Sequence, residues 1–458
     1  MSAISKQQIF RYAFPSRVED LDGKQTVRLA TFSNGRAANP FFFEGDLANP
    51  RRAADLLRGV MTIVKTRFHI PPAMLSRILA ESDPVVTCND NCLRFEGFSA
   101  CCGVYVRADF LDAAFSGEVT GRGTTNVDFS QPMMAAIARI NKNDKVSLAV
   151  GADRVVLKKM DTEVVERKVK LPVRWMKGFV EVQSVQRRMK KIHQIAGMQA
   201  FRFLRSFPKM KTHRRATYVA KSGSSLRLAQ VFHKDSVRVG GLERLKVLEL
   251  LAKEASSLEI YSDELTDASG WVLHFDDCRF TVVISPEVWR GFSGEGQALN
   301  DLANVDESAL AVTQAQLKWQ AVIDVADLAK SSKLKKPVVE SALATLGTQG
   351  LVGFDLVQDA YFHREMPFDI SAVEKQQPRL LAARKLIAQE KVRYGKKTKT
   401  QQEVLVKSSD VEHRVAIKTT SNETTEKCSC PWFNKHANTR GPCKHILAAQ
   451  IFIEENSE

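Results

Sequence analysis

Cysteine is scarce in this chain: eight in 458 residues, unevenly placed. That excludes a disulfide framework and points to a reducing compartment. No apolar run approaches the ~18 residues of a membrane helix. The opening residues, MSAISKQQIFRYAF, hold no apolar core of signal-peptide length. A cytoplasmic protein without membrane contact is the expectation. Also absent are HExxH, the GxxxxGK[ST] phosphate cradle and the GxSxG nucleophile elbow. The Gly-rich loop Gly291-Phe-Ser-Gly-Glu-Gly296 fits none of these and is assigned no catalysis. Acid is missing from one long stretch: Val182 to Lys234 contains no Asp or Glu.

That stretch carries thirteen basic side chains, against a net charge of +15 for the whole chain, so the positive excess is local. Ten of them lie between 187 and 215: Arg187, Arg188, Lys190, Lys191, Arg202, Arg205, Lys209, Lys211, Arg214 and Arg215. Lys221, Arg227 and Lys234 complete the set. Phe201, Phe203 and Phe207 are interleaved with them. Arg and Lys neutralise phosphates and aromatics stack on bases, so the ten are candidate nucleic-acid contacts. A dock for an acidic protein and a solvated helical face are the alternatives.

What is present is a soluble globular composition, 44% hydrophobic and 26% charged, with length for two to four domains. The expected class is multidomain α+β, in five parts. Residues 1–95 are a mixed α/β region, in which Pro50 to Val64 reads as an amphipathic helix with Leu56, Leu57, Val60, Ile63 and Val64 on one face. Residues 96–235 are an α+β domain ending in the basic stretch 182–234. Its strand (103–106), helix (128–140) and hairpin (145–157) loosely resemble half of a sliding-clamp module, a fold-level likeness that implies no clamp function. Cys88, Cys92, Cys101 and Cys102 read as free, partly buried thiols.

Residues 236–300 form a helix and an antiparallel meander of three strands. Residues 301–370 read as a winged-helix-like domain: helices over 309–323 and 325–329, a third opened by Pro337, and a hairpin wing. The outward face of the third helix is expected to be Glu340, Ser341, Ala344, Thr345, Thr348 and Gln349. It carries no Arg or Lys, which favours a structural or protein-binding role over base reading. Residues 371–458 hold a helix, a basic linker (391–399) and a small C-terminal unit built from about 400 to 453.

That last unit carries the sharpest signal. Cys428-Ser-Cys430 is followed, after twelve intervening residues, by Cys443-Lys-His445. Three thiolates and one imidazole suit tetrahedral zinc. Pro431 and Gly441-Pro442 bound the intervening loop with turn chemistry. His445 opens a helix-forming run, HILAAQIF. His436 lies between the pairs as a rival ligand. Four protein donors leave no coordination position for water, so one structural zinc is expected, and no enzyme.

The phrase CSCPWF…RGPCKHILAA resembles the SWIM zinc finger. WRGFSGEGQAL and LVGFDL…AYFHREMPFD look like phrases of bacterial SWIM zinc finger proteins. The resemblance implies a ββ-zinc-α finger with ligands Cys428, Cys430, Cys443 and His445, and a DNA-binding or protein-interaction role. It also implies partners: MoxR-type AAA ATPases and von Willebrand A-domain proteins, beside which such proteins are often encoded.

Overall fold

Short β-branched and aromatic runs between 85 and 284 pair into one eight-stranded antiparallel sheet. Its order is Lys190–Ala196, Ser257–Asp263, Ala268–His274, Cys278–Ile284, Val104–Leu111, Cys92–Phe98, Val85–Asn89 and Gly123–Asn126. The computed structural model describes residues 17–21, 24–28, 42–66, 84–118, 121–126, 129, 131–150, 155–157, 162–163, 171–208, 216–286, 291–303, 306–366, 377–419 and 424–456. The divisions expected after residues 95 and 235 fall inside this sheet. Strand Cys92–Phe98 spans the first, and Val104–Leu111 pairs with Cys278–Ile284 across the second. Local patterning marks strands but not partners some 170 residues away.

The two faces of this sheet differ. Leu93, Phe95, Val106, Ala108, Phe280 and Val282 are buried on one face, where helix Pro50–Lys65 packs. The Asn49 side chain caps that helix by accepting from Arg52 N (3.1 Å). Gly59 lies on Phe280, where a Cβ would sit 3.0 Å from the ring. The other face carries charge in register: Arg94 opposite Asp109, Asp109 opposite Arg279, and Glu96 opposite Arg107. Opposite charges directly across a ladder attract, yet all of these are buried and need complete partnering.

Partnering comes from a hairpin, Val352–Asp355 with Ala360–His363. Asp355 reaches Arg279 (2.9 Å), Arg107 (3.1 Å) and Arg94 (3.3 Å). Burial pushes its carboxyl up, but the three guanidiniums outweigh that and hold it well below the usual carboxylate range. Arg364 binds both oxygens of Glu96 at 2.8 Å, and Arg94 stacks 4.0 Å from the Phe362 ring centroid. The hairpin expected to project as a wing is thus laid face-down on the charged sheet.

Three helices precede it: Glu307–Ala315, Val325–Ser332 and Lys336–Thr348. The first ends at Ala315, eight residues short of the expected Ile323. Asp306 and Asp324 cap the first two. The face of the third helix expected to point outward is half wrong. Glu340 and Ser341 are exposed, but Ala344, Thr345 and Thr348 are buried. Helices Ala298–Ala303 and Val173–Gln186 cover it. Gly347 is required there, since a Cβ would lie 1.5 Å from the Gln183 amide nitrogen.

A seven-stranded sheet brings together strands from 17 to 163, including the pair Val150 and Val155 expected as a hairpin. A three-stranded sheet, Ser225–Ala229, Thr217–Ser222 and Val237–Val239, sits beside helix Gly197–Arg205. The C-terminal unit is a four-stranded sheet: Val392–Lys397, Gln401–Ser408, Val411–Thr419 and Thr424–Cys428. Two strands were expected there, and four form. The region expected as a basic linker is an edge strand, its β pattern masked by lysine. Among the described residues no helix is long and apolar enough to cross a membrane.

Candidate metal centre and basic surfaces

Cys428 ends the last strand of the C-terminal sheet, and Cys430 is the N-cap of the short helix Pro431–His436. Cys443 is the N-cap of helix Lys444–Glu455, and His445 lies in its first turn. Each cap sulfur accepts a backbone N–H at 3.4 Å, Cys430 from Phe433 and Cys443 from Ile446. These helix N-termini stabilise thiolate, the form that binds metal.

All four donors are buried and lie within 4.8 Å of one another. His445 Nδ1 is 3.9 Å from Cys428 Sγ and 4.0 Å from Cys443 Sγ. Donors around tetrahedral zinc stand roughly 3.5–4 Å apart, so the set fits one structural zinc. The Cys428 contact and the His445 ring hold the Cys443 thiol down, near 4, and Cys443 in turn pushes Cys428 up. His436 is not in the cluster. Its ring stacks on Trp432 at 4.4 Å. His413 stacks on His445 at 4.2 Å. Cys88, Cys92, Cys101 and Cys102 are buried and form no metal cluster among the described residues. Burial pushes the Cys92 thiol up to about 11 and the Cys102 thiol to about 12.

The centre is bolted to the rest of the chain by residues that spacing alone did not single out. Arg379, at the start of helix Pro378–Ala388, donates to Pro442 O (2.6 Å) and Arg440 O (3.0 Å). Its Nε donates to Glu295 Oε2 (3.1 Å), and the guanidinium lies 4.8 Å from the Trp432 ring centroid. Glu295 belongs to the Gly-rich loop left without a role above. Gly441 has φ of +77°, and a Cβ on it would meet Gly296 O at 1.9 Å. The same loop is anchored from beneath by buried Glu181, which accepts from Gln297 N (2.9 Å) and Ala298 N (3.0 Å). Leu299, Leu302 and Leu380 share one apolar core with Val404, Val406, Ile446 and Leu447.

The ten basic candidates separate in the structure. Arg187 donates to Asp301 (3.2 Å) and the Tyr361 hydroxyl (3.0 Å). Arg188 pairs with Asp263 and Lys191 with Glu259, both at 2.8 Å. The stretch itself holds no acid, but carboxylates from distant segments meet three of these charges. Lys190, Arg202 and Arg205 are exposed. Lys209, Lys211, Arg214 and Arg215 lie outside the described residues. Phe203 is buried, and Phe201 and Phe207 pack on the core, so this interleaving serves packing.

A different basic surface emerges on the C-terminal sheet. Register puts Arg393, Lys407, Arg414, Lys418 and Lys427 on its outer face, opposite the side buried by Val404, Val406 and Val415. Glu412 pairs with Arg393 and Glu403 with Arg414, both at 2.9 Å. Lys407, Lys418 and Lys427 are exposed and make no ion pair among the described residues. Exposed Lys396, Lys397 and Lys399 extend the patch at the first hairpin.

A closed, buried Cys3His set between a β-sheet and a helix defines a structural zinc-finger centre. Residues 413–451, which hold it, match the SWIM zinc finger family. No curated protein matches the chain. Among solved structures, it is similar to proliferating cellular nuclear antigen from Entamoeba histolytica, at 10% identity and TM-score 0.35, over 54% of this chain and 99% of that one. It is also similar to the PCNA2-PCNA3 complex from Sulfolobus tokodaii, at 9% identity and TM-score 0.33, over 54% of this chain and 100% of that one.

Proposed function

We propose that this is a non-enzymatic, zinc-stabilised docking protein whose finger sheet binds nucleic acid through phosphate contacts. The observation that carries this is the outer face of that sheet, which among the described residues sets five cations against two carboxylates and leaves Lys407, Lys418 and Lys427 without an ion pair. The zinc acts structurally: four protein donors complete a tetrahedron and leave no position for a reacting water. The helices and hairpin of 306–363 act as scaffold, because the hairpin and half of the third helix's expected reading face are buried. Phosphate contacts of this kind carry little sequence information.

The test uses full-length zinc-loaded protein and a labelled duplex, with affinity measured against salt. Replacing Lys407, Lys418 and Lys427 together with Ala should flatten the log–log slope by about 2–3 on duplex DNA. Zinc content should stay unchanged. An unchanged slope, or no binding at ~50 mM salt, overturns the reading. Capture of an acidic protein through the same lysines, without nucleic-acid binding, would favour the adaptor role implied by the family resemblance.

A further inference from the structure

We infer that the three-stranded sheet of 217–239 is a second contact, one that takes an unpaired base of single-stranded nucleic acid on Phe232. This rests on the nucleic-acid reading above and names the form of nucleic acid recognised.

The sheet turns one side to the core, through Val219, Leu226, Val237 and Val239. Its register places Tyr218 beside Ala229 and Arg238, and Ala220 beside Arg227, on the other side. Ala220 and Ala229 on that side are buried, but among the described residues neither belongs to the apolar core. The loop after Ala229 carries Val231 and Phe232, which are 68% and 65% exposed. Phe232 is not loose: its ring meets Tyr218 edge-on, with centroids 5.9 Å apart and planes at 77°. The Tyr218 hydroxyl makes no hydrogen bond among the described residues.

Charge lies beside this aromatic pair. Arg227, on the Tyr218 side of the sheet, and Lys234, in the loop, are exposed and pair with no carboxylate among the described residues, while Lys221 lies on the other side, across from Leu226. Arg227 has one side-chain contact, to His233 Nε2 at 3.5 Å. Arg238 is neutralised by Asp267 at 2.7 Å, and Asp235 is the one acid in the loop itself. Helix Gly197–Arg205 packs beside strand Ser225–Ala229, and Arg202 and Arg205 on it are exposed. Among the described residues, Arg227 and Lys234 thus stay without a carboxylate here, whereas Arg187, Arg188 and Lys191 are spent on internal pairs.

The chemistry chooses the occupant. Cations beside a protruding, fixed ring match a backbone of phosphates with base faces on offer. A duplex hides those faces in its stack, so the ring suits a single strand. An acidic peptide would use the charges but gives the ring nothing specific to stack on.

The experiment uses the full-length zinc-loaded protein, a labelled oligothymidylate of about 20 nucleotides and a duplex of the same length. Phe232→Ala should weaken single-strand binding by about fivefold to a hundredfold, and leave duplex binding within about twofold. Phe232→Trp should keep the affinity. Arg227→Ala should flatten the single-strand salt slope by about 0.7. Phe232 is exposed, so each variant should keep the thermal midpoint of the parent. Single-strand affinity that ignores Phe232→Ala overturns the inference and leaves the finger reading standing. Sensitivity to Phe232→Ala with indifference to the triple finger-lysine variant does the reverse. Loss of binding to anionic vesicles in Phe232→Ala, with no single-strand binding by the parent, overturns the inference in favour of a membrane contact.

Discussion

Cys428, Cys430, Cys443 and His445 were legible because four donors fall within eighteen residues at ligand spacing. About one zinc per chain is expected on metal analysis, with Cys428→Ser or His445→Ala losing it. His436→Ala should keep it, since that ring stacks outside the cluster. Full retention by all four single-ligand variants would refute the assignment. Arg379 and Glu295 were not legible. Arg379 holds the ligand loop from 61 residues upstream of Arg440, Glu295 holds Arg379 from 84 residues further back, and no local pattern links them. His363 was also silent in the sequence. It is buried, and its Nδ1 accepts from Trp319 N at 2.7 Å. Burial pushes it down to about 4. Its folded pKa lies below its unfolded value near 6.5, so it contributes stability above that value and loses it as pH falls towards 4. Acidification through this window should cost up to about 3 kcal/mol from this group. Urea unfolding of His363→Gln should show a shallower loss between pH 6.5 and 4. An identical pH profile would contradict this.

At the scale of elements, the hairpin Val352–His363 shows how far patterning goes. Its two short apolar runs and intervening turn predict a hairpin correctly. Which surface it meets is set by Arg94, Arg107 and Arg279, and in the sequence these read only as polar positions on strands. Asp355→Asn keeps the shape of the side chain but leaves three buried guanidiniums short of a counter-charge. It should cost about 3–5 kcal/mol in urea unfolding, and a loss under ~1 kcal/mol would show that the network does not depend on this carboxylate. Helix Lys336–Thr348 was read with the right period and too narrow a buried face, because helices before it in the chain pack on its second side. Strand Val392–Lys397 was missed for the opposite reason: its lysines look like a linker, while Val392 and Tyr394 alternate inward.

Across the whole molecule, net charge of +15 pointed to an anionic partner but not to where it would sit. Counting acids within 182–234 missed the carboxylates that fold back from 259, 263 and 301. Among the described residues, the finger sheet and the small sheet of 217–239 each carry exposed cations that meet no carboxylate. This leaves a prediction about ligand length. Affinity for single strands of increasing length should stay modest, then rise in a step once one strand reaches both places, because the second contact becomes intramolecular. A smooth rise without a step would mean the two do not act together.

The contact of Gly441 with Gly296 sets how sharp that step is. A zinc finger on a loose tether samples many distances, and strands of many lengths satisfy it about equally. Here the ligand loop lies so close to its support that no side chain fits between them. On the proposed reading the two basic surfaces would be jaws of a caliper locked at one opening, gauging a strand's span without reading its letters. Putting Ala at 441 would loosen the lock, and the step should blur into a slope.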